Sequence, residues 1–204
     1  MSKQKIILAT SNPHKAIEIH DMLDGAYEVL TMADAGIDVD IIEDGATFEE
    51  NALIKVRAIR PYVKDTDAIL MADDSGLCVD ALDGAPGIFS ARYAGENVTY
   101  ADNNRKLLKA LVGVPAEKRG AQFVCAVALI FPDGEKWTGR GIVEGRIAAS
   151  LQGDGGFGYD PLFIAKESGR AYAQMSEAEK NAISHRARAM ALAKEKMAEK
   201  LRIR

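Results

Sequence analysis

Two short segments carry the residues with the clearest chemical potential. The first, 71–76, ends an apolar run in the adjacent carboxylates of Asp73 and Asp74, followed by a Ser-Gly pair typical of a turn. The second, 153–160, combines a glycine-rich backbone with an aromatic ring and a carboxylate. With the basic residues that follow near the C-terminus, these residue types suit a metal ion, a polyphosphate and a flat heterocycle.

The two carboxylates are expected at the end of a strand, where neighbouring side chains point to opposite faces, so one of them faces a ligand. A carboxylate oxygen suits Mg²⁺ and also suits a general base that acts on a metal-bound water. A plain Asp-Ser-Gly turn is the alternative, and the acidic pair after a buried strand favours the functional role. Glu43, in the acidic loop 42–45, either gives the same ion a second carboxylate or belongs to an ordinary acidic loop.

A candidate phosphate-binding segment follows the first apolar strand. Asn12 is a good N-cap and Pro13 a good first helical residue, so a helix begins here with its free N–H groups and its positive dipole end. Lys15 in the first turn adds a positive charge, although a capped helix with a solvated lysine is the simpler interpretation. Lys55, on the next helix, either extends along apolar surface or contacts phosphate. The segment consists of Thr10, Ser11, Asn12, Pro13, His14 and Lys15.

The glycine-rich segment allows a ligand to approach the backbone closely. Phe157 can stack on a flat ring, and Asp160 can accept hydrogen bonds from it. The spacing fits neither a Rossmann fingerprint nor a Walker A loop, which ends in Gly-Lys-Ser/Thr. A loop around a buried aromatic residue is the competing interpretation.

Three basic residues near the C-terminus cannot share one ligand from a single straight helix. At about 100° per residue, His185 lies about 140° and Arg186 about 240° from Lys180. If all three meet one ligand, the helix must break near 183–184, with Ser184 as a new N-cap. The alternative is the polar face of one amphipathic helix.

The pattern of elements predicts an α/β fold with two lobes around a long mixed β-sheet, helices on its faces and a ligand cleft between the lobes. No flexible linker interrupts the chain, so residues 1–204 are expected to form one domain. Capping boxes are expected at Thr47–Glu50 and Ser176–Glu179. Strands are predicted at 5–9, 27–31, 68–72, 122–131, 137–143 and 162–164, helices at 13–23, 47–60 and 99–111, and an ordered loop at 83–97.

Composition limits the partners. The net charge of −4 gives no positive field for DNA or RNA, so local cations must meet any anionic ligand. No apolar stretch is long enough for a membrane span or a signal-peptide core. The chain has 2 cysteines, too few for a disulfide framework, which favours a reducing cytoplasm.

Six segments, in order along nearly the whole chain, resemble the inosine triphosphate pyrophosphatases, also called non-canonical purine NTP pyrophosphatases or XTP/dITP diphosphatases. Any one of them alone is weak evidence, whereas six in order are highly specific. The segments are 8–15, 47–52, 72–77, 84–93, 155–161 and 179–186.

The resemblance implies Mg²⁺-dependent hydrolysis of ITP, dITP or XTP to the monophosphate and pyrophosphate, which removes deaminated purines from the nucleotide pool, usually by a homodimer. It implies that segment 10–15 holds the triphosphate, that Asp74 binds Mg²⁺ or orients the attacking water, and that Ser75 lies beside the nucleotide. It places the base against Phe157, Gly158, Tyr159 and Asp160, and it assigns the purine oxo edge and sugar-phosphate to Lys180, His185 and Arg186.

The chain departs from the family pattern at Ser11, where many relatives have glycine, and in the acidic loop, where relatives often have Glu-Glu-Thr-Gly. The second departure leaves open whether Glu43 or a neighbour is the second metal ligand. Two other functions are considered: a Maf-like pyrophosphatase acting on modified pyrimidines, which segments 157–160 and 184–186 argue against, and a nucleotide sensor or RNA-binding module, which the acidic charge disfavours.

Overall fold

The computed structural model describes residues 3–23 and 25–202, which form a mixed α/β structure with a sheet flanked by helices. The strands are β1 (Gln4–Leu8), β2 (Tyr27–Thr31), β3 (Ile69–Val79), β4 (Gly120–Ile130), β5 (Lys136–Ile147) and β6 (Phe163–Ala165). The helices are α1 (Pro13–Leu23), α2 (Phe48–Ile59), α3 (Tyr100–Ala110), α4 (Glu177–Ile183) and α5 (His185–Arg202).

Among the described residues the sheet has six strands in the order β2-β1-β3-β4-β5-β6. Strand β1 pairs in parallel with β2 and with β3, where Ile6 lies opposite Ile69, whereas β5 and β6 are antiparallel. The predicted mixed sheet with flanking helices is therefore confirmed. No helix of the described ranges combines the length and the apolarity that a bilayer span requires.

The predicted end of β3 at residue 72 is wrong. The strand continues through Asp73, Asp74 and the Ser-Gly pair to Val79, so both carboxylates lie inside a strand rather than before a turn. Leu77 and Val79 beyond them are fully buried. Burial of these apolar side chains and pairing within the sheet override the local turn preference of the Asp-Ser-Gly sequence.

The chain divides into two compact units. Unit one comprises Met1–Asp74, Cys125–Gly141 and Arg186–Arg204, and unit two comprises Ser75–Val124 and Ile142–His185. In the described residues of unit one, alternate residues of the strands pack into two separate hydrophobic cores. One packs strand residues such as Ile6 and Met71 against α1 and α5. The other packs residues such as Ile7 and Leu70 against α2.

Unit two has its own core of aromatic and aliphatic side chains. Phe123 of β4 lies at its centre, with ring centroids 4.6 Å from Phe163 and 5.7 Å from Tyr172. The predicted ordered loop at 83–97 is confirmed, and part of it forms a 3-10 helix over Gly87–Arg92. Ser90 anchors this loop because its Oγ accepts a hydrogen bond of 2.9 Å from the Leu77 N–H.

The two predicted capping boxes differ in outcome. At α4, the Ser176 Oγ accepts from the Glu179 N–H and the Glu179 carboxylate accepts from the Ser176 N–H, as predicted. At α2, the Thr47 Oγ1 accepts from the Glu50 N–H, but the Glu50 carboxylate accepts from the Ala46 N–H instead of the Thr47 N–H. The reciprocal half of the predicted box is therefore wrong there.

The predicted break of the C-terminal helix is confirmed. Ser184 has an extended backbone (φ −67°, ψ 160°), separates α4 from α5 and stands directly before His185. The break allows Lys180 on α4 and the residues at the start of α5 to point in directions that one straight helix would forbid.

The α4 cap gives a stability prediction. Ser176→Ala removes the oxygen that accepts from the Glu179 N–H, so the free energy of unfolding should fall by about 1 kcal/mol in urea denaturation. Ser150→Ala, at an exposed bend, is the matched control and should leave it unchanged. Equal unfolding free energies for the two variants would contradict the assigned role of the cap.

Candidate active site

In unit one, the loop between β1 and α1 is held by its own polar side chains. The Asn12 Oδ1 accepts hydrogen bonds from the N–H groups of His14 (3.0 Å) and Lys15 (3.3 Å), so the predicted N-cap is confirmed. The Thr10 Oγ1 accepts from the Asn12 N–H at 3.2 Å. Of the remaining segment, Ser11, Pro13 and His14 are exposed. The loop thus presents polar groups and a helix start directly beyond a parallel strand.

Asp73 is the centre of a buried charge network on one face of β3. Its Oδ2 lies 3.2 Å from the Lys15 Nζ and 3.1 Å from the Arg186 Nη2, and Arg186 also pairs with Glu18. Burial disfavours the charged guanidinium, but the carboxylates of Asp73 and Glu18 outweigh this effect and raise the pKa of Arg186. Arg186 is only 1% exposed, so it stays ionised and fixed within this network.

Asp74 projects from the opposite face of the same strand, as the alternation predicts. Its Oδ1 lies 3.0 Å from the Lys55 Nζ, and its Oδ2 accepts a hydrogen bond of 3.2 Å from the Asn51 amide. Burial raises the pKa of Asp74, although Lys55 and Lys15 oppose the shift. Asp74 is 6% exposed, and both of its carboxylate oxygens are held by side chains of α2.

Lys55 joins Asp74 to the acidic loop. Its ammonium lies 2.8 Å from the Glu43 carboxylate and 3.1 Å from the Asp73 carbonyl oxygen. Burial disfavours the charged form, but the combined attraction of Asp74, Glu43 and Asp73 prevails, and the pKa of Lys55 is raised. The lysine is therefore a buried cation that pairs with two carboxylates at one point.

The same donor set fits Mg²⁺. Across residues 3–23 and 25–202, no group of three or more His, Cys, Asp or Glu side chains is arranged to hold a metal. Mg²⁺ does not need such a cage, because it commonly takes one or two carboxylates, substrate phosphates and water. The carboxylates of Asp74 and Glu43 both approach one cationic centre, and their hard oxygens are the ligands this ion prefers.

In unit two, the glycine-rich loop is anchored by a buried ion pair. The Asp160 Oδ2 lies 2.6 Å from the Lys180 Nζ and accepts a hydrogen bond of 2.9 Å from the Phe157 N–H. Gly156 has φ +68°, and a Cβ there would lie 2.2 Å from the Asp160 carboxylate, so only glycine fits. The Lys180 ammonium lies 4.6 Å from the centre of the half-buried Phe157 ring.

The other predicted members of this group have different surroundings. Tyr159 is buried, and its hydroxyl donates a 2.8 Å hydrogen bond to the Ser90 carbonyl. Burial raises the pKa of the Tyr159 phenol, which therefore stays protonated. The His185 ring stacks on Phe123 at 4.6 Å between centroids with 8° between planes. The Asn104 side-chain amide donates a hydrogen bond of 2.9 Å to the Gly158 carbonyl oxygen.

The structure thus gathers some of the predicted residues into small groups, two in unit one and one in unit two. In unit one, Lys15 lies with Asp73, while Lys55, Glu43 and Asp74 lie together. In unit two, Phe157, Asp160 and Lys180 lie together, and Ser75 is a half-buried residue of β3. Their roles toward a ligand stay predictions.

Sequence reasoning missed Asn51 and Glu18. Asn51 precedes Lys55 by four positions on a helix, the spacing that places two side chains on one face, so this signal was present in the sequence. Glu18 lies three residues after Lys15 on α1, but nothing local indicates that its partner is Arg186, 168 positions further along the chain.

The sequence matches the model of the Ham1 family over residues 6–196, and the chain belongs to this family. It is 50% identical over 199 residues to the dITP/XTP pyrophosphatase of Caldanaerobacter subterraneus subsp. tengcongensis, covering 97% of this chain and 98% of that protein. It is 49% identical over 191 residues to the dITP/XTP pyrophosphatase of Clostridium perfringens, covering 92% of this chain and 94% of that protein.

Solved structures agree with this assignment. The Ham1 protein of Staphylococcus aureus superimposes with a TM-score of 0.83 at 38% identity, covering 97% of this chain and all of that one. The family resemblance read from the six sequence segments is thereby confirmed.

The buried ion pair of unit two gives a second stability prediction. Lys180→Met leaves the Asp160 carboxylate buried without its cation, which should lower the free energy of unfolding by about 3 kcal/mol. Lys166→Met, which breaks the exposed pair with Glu144, should cost less than about 1 kcal/mol. Urea denaturation measures both, and a small loss at Lys180 would show that the pair does not support the loop.

Proposed function

We propose that this chain hydrolyses the deaminated purine nucleoside triphosphates ITP, dITP and XTP to the monophosphate and pyrophosphate, and so removes them from the nucleotide pool. The observation that carries the proposal is the meeting of the Asp74 and Glu43 carboxylates at the buried Lys55 ammonium. This arrangement suits a metal-bound polyphosphate. Two proteins that are 49–50% identical to this chain are named dITP/XTP pyrophosphatases.

The phosphate end of the substrate is assigned to unit one. Lys15, Lys55 and the N–H groups at the start of α1 supply local positive charge in a chain whose net charge is −4. The same segment, 10–15, carries polar side chains that are already ordered by the Asn12 cap. Phosphoryl transfer depends mainly on positioning and charge neutralisation, which these groups supply.

Asp74 and Glu43 are assigned to hold Mg²⁺. When bound, this ion would neutralise phosphate charge and polarise the reacting phosphoryl group. The alternative role of the Asp74 carboxylate, which is buried and held by α2, is to orient the attacking water. Ser75 follows it on the strand and is assigned to the substrate.

The purine is assigned to unit two, to the glycine-rich loop, to α4 and to His185 at the start of α5. Phe157 offers a ring face for stacking, and Gly158, Tyr159 and Asp160 form the loop around it. Lys180 and His185 supply donors for the 6-oxo group that distinguishes hypoxanthine and xanthine from adenine, and Arg186 of unit one is assigned to the sugar-phosphate. A site built to donate to an oxo group rejects an amino group strongly, because its buried donors are left unpaired.

Three further properties are proposed. The family match spans residues of both units, which supports a single pyrophosphatase domain over 1–204. With only 2 cysteines the chain lacks a disulfide framework, which supports a cytoplasmic location. A homodimer rests on the family resemblance alone, because the apolar residues of β4 are buried in the chain's own cores.

A substrate panel tests the proposed reaction. With Mg²⁺, pyrophosphate should be released from ITP, dITP and XTP roughly a hundredfold or more faster than from ATP, which lacks the 6-oxo group. It should also be released faster than from GTP, whose 2-amino group is absent from hypoxanthine and xanthine. Orthophosphate as the first product would contradict the cleavage between the α and β phosphates. Binding of ITP without turnover would instead indicate a sensor.

Asp74→Asn tests the assigned catalytic carboxylate. The change keeps the shape but removes the charge, so pyrophosphate release from ITP should fall at least about a hundredfold while circular dichroism stays unchanged. Asp65→Asn, at an exposed pair with Lys5, is the matched control and should retain the wild-type rate. A near-normal rate for Asp74→Asn would remove this residue from its role.

Phe157→Ala tests the stacking surface. Loss of one base–aromatic contact should raise KM for ITP about tenfold, with a smaller effect on kcat. Tyr62→Ala, which removes an exposed aromatic ring elsewhere, should not change KM. An unchanged KM for Phe157→Ala would place the base elsewhere.

A further inference from the structure

Asn51 occupies a position that no assigned function explains. It lies in the first turns of α2, is 1% exposed, and uses both ends of its amide. Its Nδ2 donates to the Asp74 Oδ2 at 3.2 Å, and its Oδ1 accepts from the Gly45 N–H at 2.9 Å. One buried side chain therefore links a strand carboxylate to the acidic loop.

The chemistry of both partners fixes the orientation of this amide. A carboxylate only accepts, so the NH₂ group must face Asp74, and a backbone N–H only donates, so the carbonyl must face Gly45. An aspartate could satisfy Gly45 but could not donate to Asp74, and a leucine of similar size could do neither. Among the amino acids of this size, asparagine alone serves both contacts.

The acidic loop approaches Asn51 more closely than a side chain at position 45 would allow. A Cβ on Gly45 would lie 2.7 Å from the Asn51 Oδ1 and 2.9 Å from the Asn51 backbone nitrogen. Glycine therefore permits the hydrogen bond that holds the loop. Glu43 lies two residues earlier, so the position of its carboxylate depends on the same anchor.

Asn51 and Lys55 each contact one oxygen of the Asp74 carboxylate. Lys55, one helical turn later, contacts the Oδ1, while Asn51 contacts the Oδ2, so α2 holds both oxygens. Lys55 also reaches Glu43, and Asn51 reaches Gly45 of the same loop. The two side chains thus fix the orientation of the Asp74 carboxylate and hold the loop that carries Glu43.

We propose that Asn51 is a positioning residue that presets Asp74 and the Glu43 loop for a divalent cation. The inference rests on the proposed function in one respect, that Asp74 and Glu43 are the metal ligands. Groups that orient metal ligands through hydrogen bonds commonly change metal affinity or activity 10- to 100-fold when they are removed.

The experiment compares three variants of the full chain. Asn51→Leu removes both amide contacts, and Gly45→Ala disturbs the same link from the loop side. Asn103→Leu is the matched control, because Asn103 is also buried and bonds two backbone groups, the Ala91 carbonyl and the Ala94 N–H. The Mg²⁺ concentration for half-maximal pyrophosphate release from ITP is measured for each, together with KM for ITP at saturating Mg²⁺.

Hydrogen exchange supplies a readout that needs neither metal nor substrate. In glycine-labelled protein without Mg²⁺, the Gly45 amide should exchange at least about tenfold faster in Asn51→Leu than in the wild type, because its acceptor is lost. In Asn103→Leu the exchange of Gly45 should be unchanged. Equal Gly45 exchange in the wild type and Asn51→Leu would overturn the proposed link.

The kinetic outcomes separate the two proposals. A rise of about tenfold or more in half-saturating Mg²⁺ for both Asn51→Leu and Gly45→Ala, with KM for ITP within about twofold, supports the positioning role. Values equal to those of Asn103→Leu overturn it while leaving the proposed function intact. If Asn51→Leu fails to fold, Gly45→Ala decides. Absence of pyrophosphate release by the wild type refutes the proposed function instead.

Discussion

The central constraint on unit one is the burial of two adjacent carboxylates within a single strand. Asp73 and Asp74 lie on opposite faces of β3 and are 1% and 6% exposed. An ionised carboxylate removed from water is strongly disfavoured unless a cation and hydrogen-bond donors replace the lost hydration. Each face of the strand must therefore supply its own cations, and the surrounding helices are placed where they do so.

The helices of unit one meet this requirement separately. On one face, α1 and α5 pack on a shared core and bring Lys15 and Arg186 to Asp73. On the other, α2 packs on a second core and brings Lys55 to Asp74. Apolar burial sets where each helix lies, and charge pairing selects the residues that face the strand. The same principle recurs in unit two, where Lys180 neutralises the buried Asp160.

Features governed by local rules could be predicted from the sequence. The break at Ser184 followed from helical angles together with the condition that three basic residues meet one ligand, and the start of α1 followed from the Asn-Pro pair. The course of β3 could not be predicted this way, because the Asp-Ser-Gly sequence favours a turn and only pairing with neighbouring strands overrides it. The network around Asp73 was also out of reach, because Arg186 lies more than a hundred positions from its partner.

The candidate site also combines features that the local sequence indicates with features that only the tertiary structure determines. The chemical types of the candidate residues could be recognised in the sequence, whereas their partners and surroundings could not. Tyr159 entered the prediction as a ligand contact, yet its ring lies in the core of unit two, and Arg186 proved to be held by two carboxylates. Burial and the identity of ion-pair partners depend on the tertiary structure, which no local pattern records.

The most direct test of the account is a crystal structure of the protein with Mn²⁺ in place of Mg²⁺ and a non-hydrolysable ITP analogue. Anomalous scattering should place the metal about 2.1 Å from a carboxylate oxygen of Asp74, with phosphate oxygens completing its shell. A metal bound elsewhere, with Asp74 still contacting only Lys55 and Asn51, would contradict the claim that this buried carboxylate is built to hold the ion.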